Sequence, residues 1–286
     1  MDWGRMGGAE RDAPYNNTAA VADSAALNAA REARSAAYRA AHPANLDLAY
    51  GAGQRNRWDL FPAEDAAAPC LVFIHGGYWQ RNSREQFACL IEGPRAIGWS
   101  AALPGYTLAP DASMTEVVAE VHAALDWLAA EGPAHGIAGP VVLSGWSAGG
   151  HLTAMALGHR LVRAGLAISG LFELGPIRDT NLNEKLHLTD AELAALSPRR
   201  LPPSPKPLAI AYGTAELPAL IADSRAMHEH RAAAHAPGPL LPVAGADHFT
   251  IVLELQERQG QLTRMLPVLL DLASAQSGEG EEVPPQ

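Results

Sequence analysis

The sequence predicts an α/β protein built on a mostly parallel, doubly wound sheet with a small helical lid insertion, and three observations carry that expectation. Short, continuous apolar runs bounded by Gly and Pro recur along the chain, as strands buried on both faces do. Segments with apolar residues at helical spacing alternate with them, the pattern of repeated strand-helix units. The stretch PVVLSGWSAGGHL, residues 140–152, sets a glycine-flanked serine at the junction of one such strand and one such helix.

The elements follow in order. Residues 18–41 are rich in Ala with Arg and Glu interspersed and form a leading helical segment on propensity. LDLAYGAGQRNRWDLFPA, residues 46–63, reads as two early strands joined by a hairpin through Gly- and Asn-containing turn signals. PCLVFIHGG (69–77) has the look of a strand of a parallel sheet, and GWSAALPGY (98–106) of a strand leading into a turn. MTEVVAEVHAALDWLAAEG carries Val117, Val121, Leu125 and Leu128 at helical spacing and stops at Gly132 and Pro133. PVVLS and the helix-like AGGHLTAMALGHRL come next. RAGLAISGLF, KPLAIAYGT and GPLLPVAGADH supply three more strands, the last followed by the helix TIVLELQERQGQLTRMLPVLLDLA. Residues 176–207, polar and then Pro-rich between two strands, form an insertion expected to lie like a lid over the C-terminal edge of the sheet. Residues 1–275 thus make one domain, and the acidic residues 276–286, with little apolar surface to bury, are expected to be a disordered tail.

Composition excludes several functions. With 286 residues, 48% of them apolar and 18% charged, the chain has the composition of an ordinary water-soluble globule. A net charge of −10 without a local Lys/Arg cluster argues against nucleic acid as a partner. Cys70 and Cys89 cannot build a disulfide framework and are expected to be free thiols in a reducing, cytoplasmic setting. No stretch has the length and apolarity of a signal peptide or a membrane span. No ligand spacing calls for a metal, and no cofactor is expected. The partner expected is a small molecule; oligomeric state is not legible.

Gly145-Trp146-Ser147-Ala148-Gly149 fits G-x-S-x-G, the sharp strand-to-helix turn that lifts a serine hydroxyl over the sheet edge. Ser144, three residues earlier, reads as a hydrogen-bonded strand-end residue. A serine needs a base, and the base an orienting acid. Among 11 histidines, His248 stands after the last strand, where this motif's chain order of Ser, acid, His puts the base. His151, four residues past Ser147, reads as packing on the helix. His228 and His230, at i and i+2, point to different helix faces and read as surface residues. The acid should follow LAIAY: Glu216 comes first, Asp223 second, and Asp247, adjacent to His248, third. HGGYW, residues 75–79, follows a buried strand with two glycines that can turn backbone amides toward the elbow. The N–H groups of Gly77, Tyr78 and Ala148 are the donors expected for an oxyanion. Trp79, Tyr78, Trp146 and Phe249 are candidates for an aromatic slot, with core packing as the competing role.

HGGYW, GYTLAP, GWSAGGHL, SGLFEL, LNEKLHL…LSP, YGTAELP and DHFTIV, spread over residues 45–255, resemble the α/β-hydrolase superfamily. More narrowly they resemble its kynurenine formamidase (arylformamidase) group, marked by HGG-x-W where hormone-sensitive-lipase-like esterases have HGGG. The resemblance implies an α/β-hydrolase fold and a triad on Ser147, Glu216 and His248. One departure is the acid, commonly Asp in that group and Glu216 here. The group also includes arylamidases and carboxylesterases, so the expected activity is hydrolysis of a small aryl amide, formamide or ester through an acyl-enzyme. A general carboxylesterase or arylamidase without kynurenine specificity is the alternative, and an inactive binding module the third. A kynurenine pocket would pair an α-carboxylate and an α-amine; no arginine belongs to the motifs beside the site, although Arg81 follows HGGYW closely and could serve.

Overall fold

Alternation along Cys70–Ile74 shows why a sheet covered on both sides forms: Cys70, Val72 and Ile74 enter one apolar cluster, while Leu71 and Phe73 enter another on the opposite face. The computed structural model of the chain describes residues 5–278. Its eight strands are β1 (Leu48–Ala49), β2 (Arg57–Phe61), β3 (Cys70–Ile74), β4 (Ser100–Pro104), β5 (Val141–Trp146), β6 (Val162–Ile168), β7 (Leu208–Gly213) and β8 (Leu240–Val243). They lie in one sheet in the order β1-β2-β4-β3-β5-β6-β7-β8. β1 and β2 form the expected hairpin, and β2 runs antiparallel to β4. Every later pairing is parallel.

The longer helices are α1 (Ser24–Ala41), α2 (Met114–Glu131), α3 (Ala148–Ala156), α4 (Pro218–Ala233) and α5 (Gln261–Gly278). α2 begins with a capping box: Ser113 Oγ accepts from Glu116 N–H at 3.2 Å, and the Glu116 carboxylate accepts from Ser113 N–H at 2.8 Å. Its Val117, Val121, Leu125 and Leu128 are buried in one cluster with Leu152 and Ala156 of α3. Leu262, Leu266 and Leu269 of α5 cover the other face together with Phe87, Leu90 and Ile91. α5 runs through Gly278, so residues 276–278 of the expected tail are helical, and residues 279–286 lie outside the described residues.

Two segments depart from the simple reading. The helix expected over 18–41 is broken: Asn17–Ala20 is one turn, capped by Asn16 Oδ1 on Ala19 N–H, and Val21 is extended before α1 starts at Ser24. Ala-rich composition favours helix throughout but does not register an Asn side chain that ends up in a cap. The insertion folds as three short helices, Gly175–Arg178, Asn183–Leu186 and Asp190–Leu196, with Leu182, Leu186, Leu193 and Leu196 joining the core on the α2–α3 face.

The sheet's C-terminal edge also carries two fully buried imidazoles. His75, just past β3, stacks on Tyr106 with ring centroids 4.3 Å apart, and His151 in α3 points Nε2 at Leu196 O, 2.7 Å away. Burial pushes the His75 pKa down to about 3 and that of His151 down to about 4. Burial raises Asp223, in α4, to about 6. Of these three groups, as pH falls from about 6 toward 4, the unfolded chain protonates both imidazoles while the fold protonates Asp223. Unfolding therefore takes up protons, and stability falls with falling pH by about 1.4 kcal/mol per pH unit for each net proton. Chemical denaturation at pH 7 and pH 5 should show a lower midpoint at pH 5, and the difference should shrink when His75 is replaced by Asn in a variant that still folds.

Candidate active site

Ser147 links β5 directly to α3, and its backbone sits at φ +57° and ψ −118°, a region that residues with a Cβ rarely occupy. The flanking glycines make the turn possible. A Cβ on Gly145 would stand 2.2 Å from Gly149 O, and one on Gly149 would stand 2.0 Å from Ile74 O. Ser147 N–H donates to Ile168 O at 2.8 Å, and Ser147 C=O accepts from Gly150 N–H at 2.9 Å. The serine is 3% exposed. Ser144 faces away along the strand and donates its hydroxyl to Leu166 O at 2.9 Å.

His248 lies in the loop after β8, with Nδ1 3.1 Å from Glu216 Oε2. An ionised carboxylate only accepts, so Nδ1 carries the proton of the neutral ring and Nε2 is left as its acceptor. Trp146, beside the serine, donates Nε1–H to His248 O at 2.8 Å and sets its ring 4.9 Å from the imidazole. Glu216 is buried, and its other oxygen accepts from Gly213 N–H at 2.7 Å and from Ser169 Oγ–H at 2.5 Å. Three donors thus satisfy a carboxylate that burial would otherwise penalise. α4 starts only at Pro218, so Glu216 stands before the helix and its oxygens are taken up by these groups.

The two other carboxylates are engaged elsewhere. Asp223 Oδ2 accepts from Phe172 N–H at 2.6 Å, and Oδ1 lies 3.2 Å from Arg199. Asp247 Oδ1 accepts from Phe249 N–H and Thr250 N–H at 2.8 and 2.9 Å, shaping the turn that carries His248.

The loop after β3 doubles back on itself, with Tyr78, Trp79 and Asn82 at φ +52°, +57° and +69°. Among the described residues, the N–H groups of Gly77, Tyr78 and Ala148 take part in no hydrogen bond. Gly77, Tyr78, Trp146, Ser147, His248 and Phe249 all line one cavity of about 240 Å³. Trp79 does not. It is fully buried, edge-on to His151 with centroids 5.0 Å apart, and belongs to the core, which corrects its expected place in the slot. Two successive residues in left-handed conformation send neighbouring side chains in different directions, so Tyr78 reaches the cavity and Trp79 the interior.

Sequence reasoning missed the roof. Asp12, Tyr15, Asn16, Asn17 and Thr18 line the cavity from the N-terminal side, and Thr180, Asn181 and Leu182 of the insertion line it from the other. Tyr78 OH donates to Tyr15 O at 2.6 Å and accepts from Asn17 Nδ2–H at 3.1 Å. Asn181 N–H donates to Asp12 Oδ1 at 2.8 Å, closing one side on the other. Gln80 Nε2–H holds Leu182 O at 2.8 Å. The cap and turn residues in 12–18 hint at structure but say nothing of what it covers. Ser169, at φ +49°, was missed as well.

Among the described residues no helix is long and apolar enough to cross a membrane. Residues 59–161 match the BD-FAE family model. The kynurenine formamidase of Danio rerio is 24% identical over 237 residues, covering 77% of this chain and 80% of that protein. The one from Salmo salar is 26% identical over 241 residues, with the same coverage. A thioesterase candidate from Silicibacter sp. TM1040 superposes with a TM-score of 0.81 at 28% identity, covering 90% of this chain and 99% of its own. Esterase B of Lactobacillus rhamnosis, in a phosphonate-inhibited form, has a TM-score of 0.71 at 20% identity over 93% of this chain and 99% of its own, a likeness of fold. The chain has an α/β-hydrolase fold and is similar in sequence to kynurenine formamidases.

Proposed function

We propose that the protein is a serine hydrolase that cleaves small aryl formamides, and short-chain aryl esters, through an acyl-enzyme on Ser147. The observation that carries this reading is the buried Glu216–His248 pair, 3.1 Å apart, whose imidazole lines the same cavity as a serine held in a strained elbow. His248 Nε2 takes the Ser147 proton as Oγ attacks the formyl or acyl carbon. Glu216 holds the imidazolium that results, and the N–H groups of Gly77, Tyr78 and Ala148 receive the carbonyl oxygen as it becomes negative. His248 then passes the proton to the leaving arylamine or phenol. Water, deprotonated by the same imidazole, releases the acyl group as formate or a short carboxylate.

The cavity supports the choice of acyl group. A space of roughly 150 Å³ holds a benzene ring, so about 240 Å³ accommodates a substituted aryl group with a formyl or acetyl group at the serine. Trp146, Tyr78 and Phe249 give this space aromatic walls. The names of the similar fish proteins support kynurenine formamide hydrolysis as the specific reaction. The free and buried Cys70 and Cys89 fit a reducing, cytoplasmic setting.

Ser147→Ala should keep the wild-type circular dichroism and melting temperature while turnover of N-formylkynurenine and 4-nitrophenyl acetate falls by at least about 10⁴-fold. Fluorophosphonate labelling should disappear with it; labelling or activity retained by the variant overturns the assignment. Glu216→Gln should lower kcat by about 10³- to 10⁴-fold with a far smaller change in KM, because the amide presents the wrong partner to Nδ1. A panel of anilides and phenyl esters with acyl groups from formyl to hexanoyl should show kcat/KM falling steeply beyond acetyl. A flat profile with poor formamide turnover would identify a general carboxylesterase instead.

A further inference from the structure

The two amides of the loop after β3 that take part in no hydrogen bond among the described residues, those of Gly77 and Tyr78, each belong to a peptide unit whose carbonyl is engaged. A trans peptide is planar, with its N–H and C=O pointing in opposite directions, so holding the carbonyl aims the amide. For Tyr78 the carbonyl is Gly77 O, which accepts from Gln80 N–H at 3.0 Å and from Arg81 N–H at 3.1 Å. For Gly77 it is Gly76 O, and here two side chains do the holding. His75 Nδ1–H donates at 2.9 Å, and Asn82 Nδ2–H donates across the loop at 3.1 Å. A carbonyl oxygen has two lone pairs, and these two donors fill both.

Asn82 is itself held in place. Its backbone stands at φ +69°, a left-handed conformation that Asn, Asp and Gly tolerate better than other residues. Arg55 Nη2–H donates to Asn82 O at 2.5 Å, and Arg55 Nε–H donates to Tyr106 O at 2.8 Å. Tyr106 OH in turn donates to His75 O at 3.1 Å, so polar ties close the loop from residue 75 to residue 82. The held peptide unit begins against the elbow, because a Cβ on Gly76 would stand 3.0 Å from Ser147 Cβ. Asn82 also lines the cavity, which makes direct contact with substrate its competing role.

We propose that Asn82 is a positioning residue for the oxyanion: by filling one lone pair of Gly76 O, it aims Gly77 N–H at the oxygen that becomes negative when Ser147 attacks. The inference rests on the hydrolase reading above and adds a residue that touches neither the serine nor the base. An aimed donor gains more from an oxyanion than from a neutral carbonyl, so the contribution belongs to the transition state. Its loss falls on kcat and not on KM.

The test uses Asn82→Asp, which keeps the shape but turns an acceptor toward Gly76 O, and Asn82→Gly, which keeps the left-handed backbone and removes the group. Fluorophosphonate titration to completion counts competent serines, and kcat on 4-nitrophenyl acetate is read per titrated site. In both variants kcat should fall about 10- to 100-fold, with KM within about twofold of wild type. Affinity for 2,2,2-trifluoroacetophenone should weaken by the factor that kcat/KM loses. Ser147 Oγ bonds to the carbonyl carbon of that ketone, the π pair moves onto oxygen, and the proton passes to His248 Nε2, so the adduct carries the oxyanion. Inhibition by acetophenone, which stays a neutral ketone, should not change. If only one variant keeps the wild-type melting temperature, that variant decides. Unchanged kcat and unchanged trifluoroketone affinity overturn this inference and leave the hydrolase reading standing. So does a loss confined to KM and matched by acetophenone, which makes Asn82 a substrate contact instead. A wild type with neither turnover nor fluorophosphonate labelling overturns both.

Discussion

The active-site edge depends on one close approach of backbone to backbone. Gly149, in the first turn of α3, lies so near the end of β3 that no Cβ fits between it and Ile74 O. That contact sets the elbow against the loop that follows β3, and with it the distance between the serine and the amides of Gly77 and Tyr78. Strain at Ser147 is maintained by the parallel pairing of β5 with β3 on one side and β6 on the other, where Ile168 O accepts the Ser147 N–H. A left-handed serine costs of order 1–3 kcal/mol and persists only where its surroundings over-determine it. The strained residues Tyr78, Trp79 and Asn82 sit just across this contact, so the unfavourable backbone is concentrated where orientation of polar groups matters.

Electrostatics follows from the same packing. A carboxylate buried as deeply as Glu216 is tolerated because Ser169, Gly213 and His248 each donate to it. Two of these donors are residues at the C-terminal ends of β6 and β7, so the sheet itself holds the acid in place. The extra methylene of Glu relative to Asp allows attachment from the loop after β7 to reach both a strand-end amide and the imidazole. Asp223, further along, instead anchors the chain after β6 through Phe172 N–H.

How much was legible in the sequence depended on how local each feature is. The elbow, the HGGYW loop and the loop bearing His248 are each defined within a few residues, with a strand on one side to position them, and their types and order were readable. The apolar runs gave the parallel sheet for the same reason, since burial on both faces leaves a continuous signature. The choice of Glu216 over Asp223 as partner of His248 rested on which carboxylate comes first after β7. The roof was not readable because Asp12 meets Asn181 and Asn17 meets Tyr78 only through the folded chain, across 169 and 61 residues. Trp79 was misplaced because successive positive-φ residues in this loop turn Tyr78 to the cavity and Trp79 to the core, and composition does not encode that.

The asparagine-rich roof has a consequence for dynamics. Residues 12–18 meet the rest of the molecule largely through polar contacts, with Tyr15 packed against one of the two apolar clusters that flank the sheet. Segments of that kind open at a small fraction of the global unfolding free energy. The cavity's covering can therefore detach while the elbow and the Glu216–His248 pair stay assembled, giving bulky substrates a way in without disturbing the core. Anything bound beneath Asp12 and Tyr15 opposes that opening by mass action, so occupancy of the cavity and protection of the Asn181 amide from solvent exchange rise together.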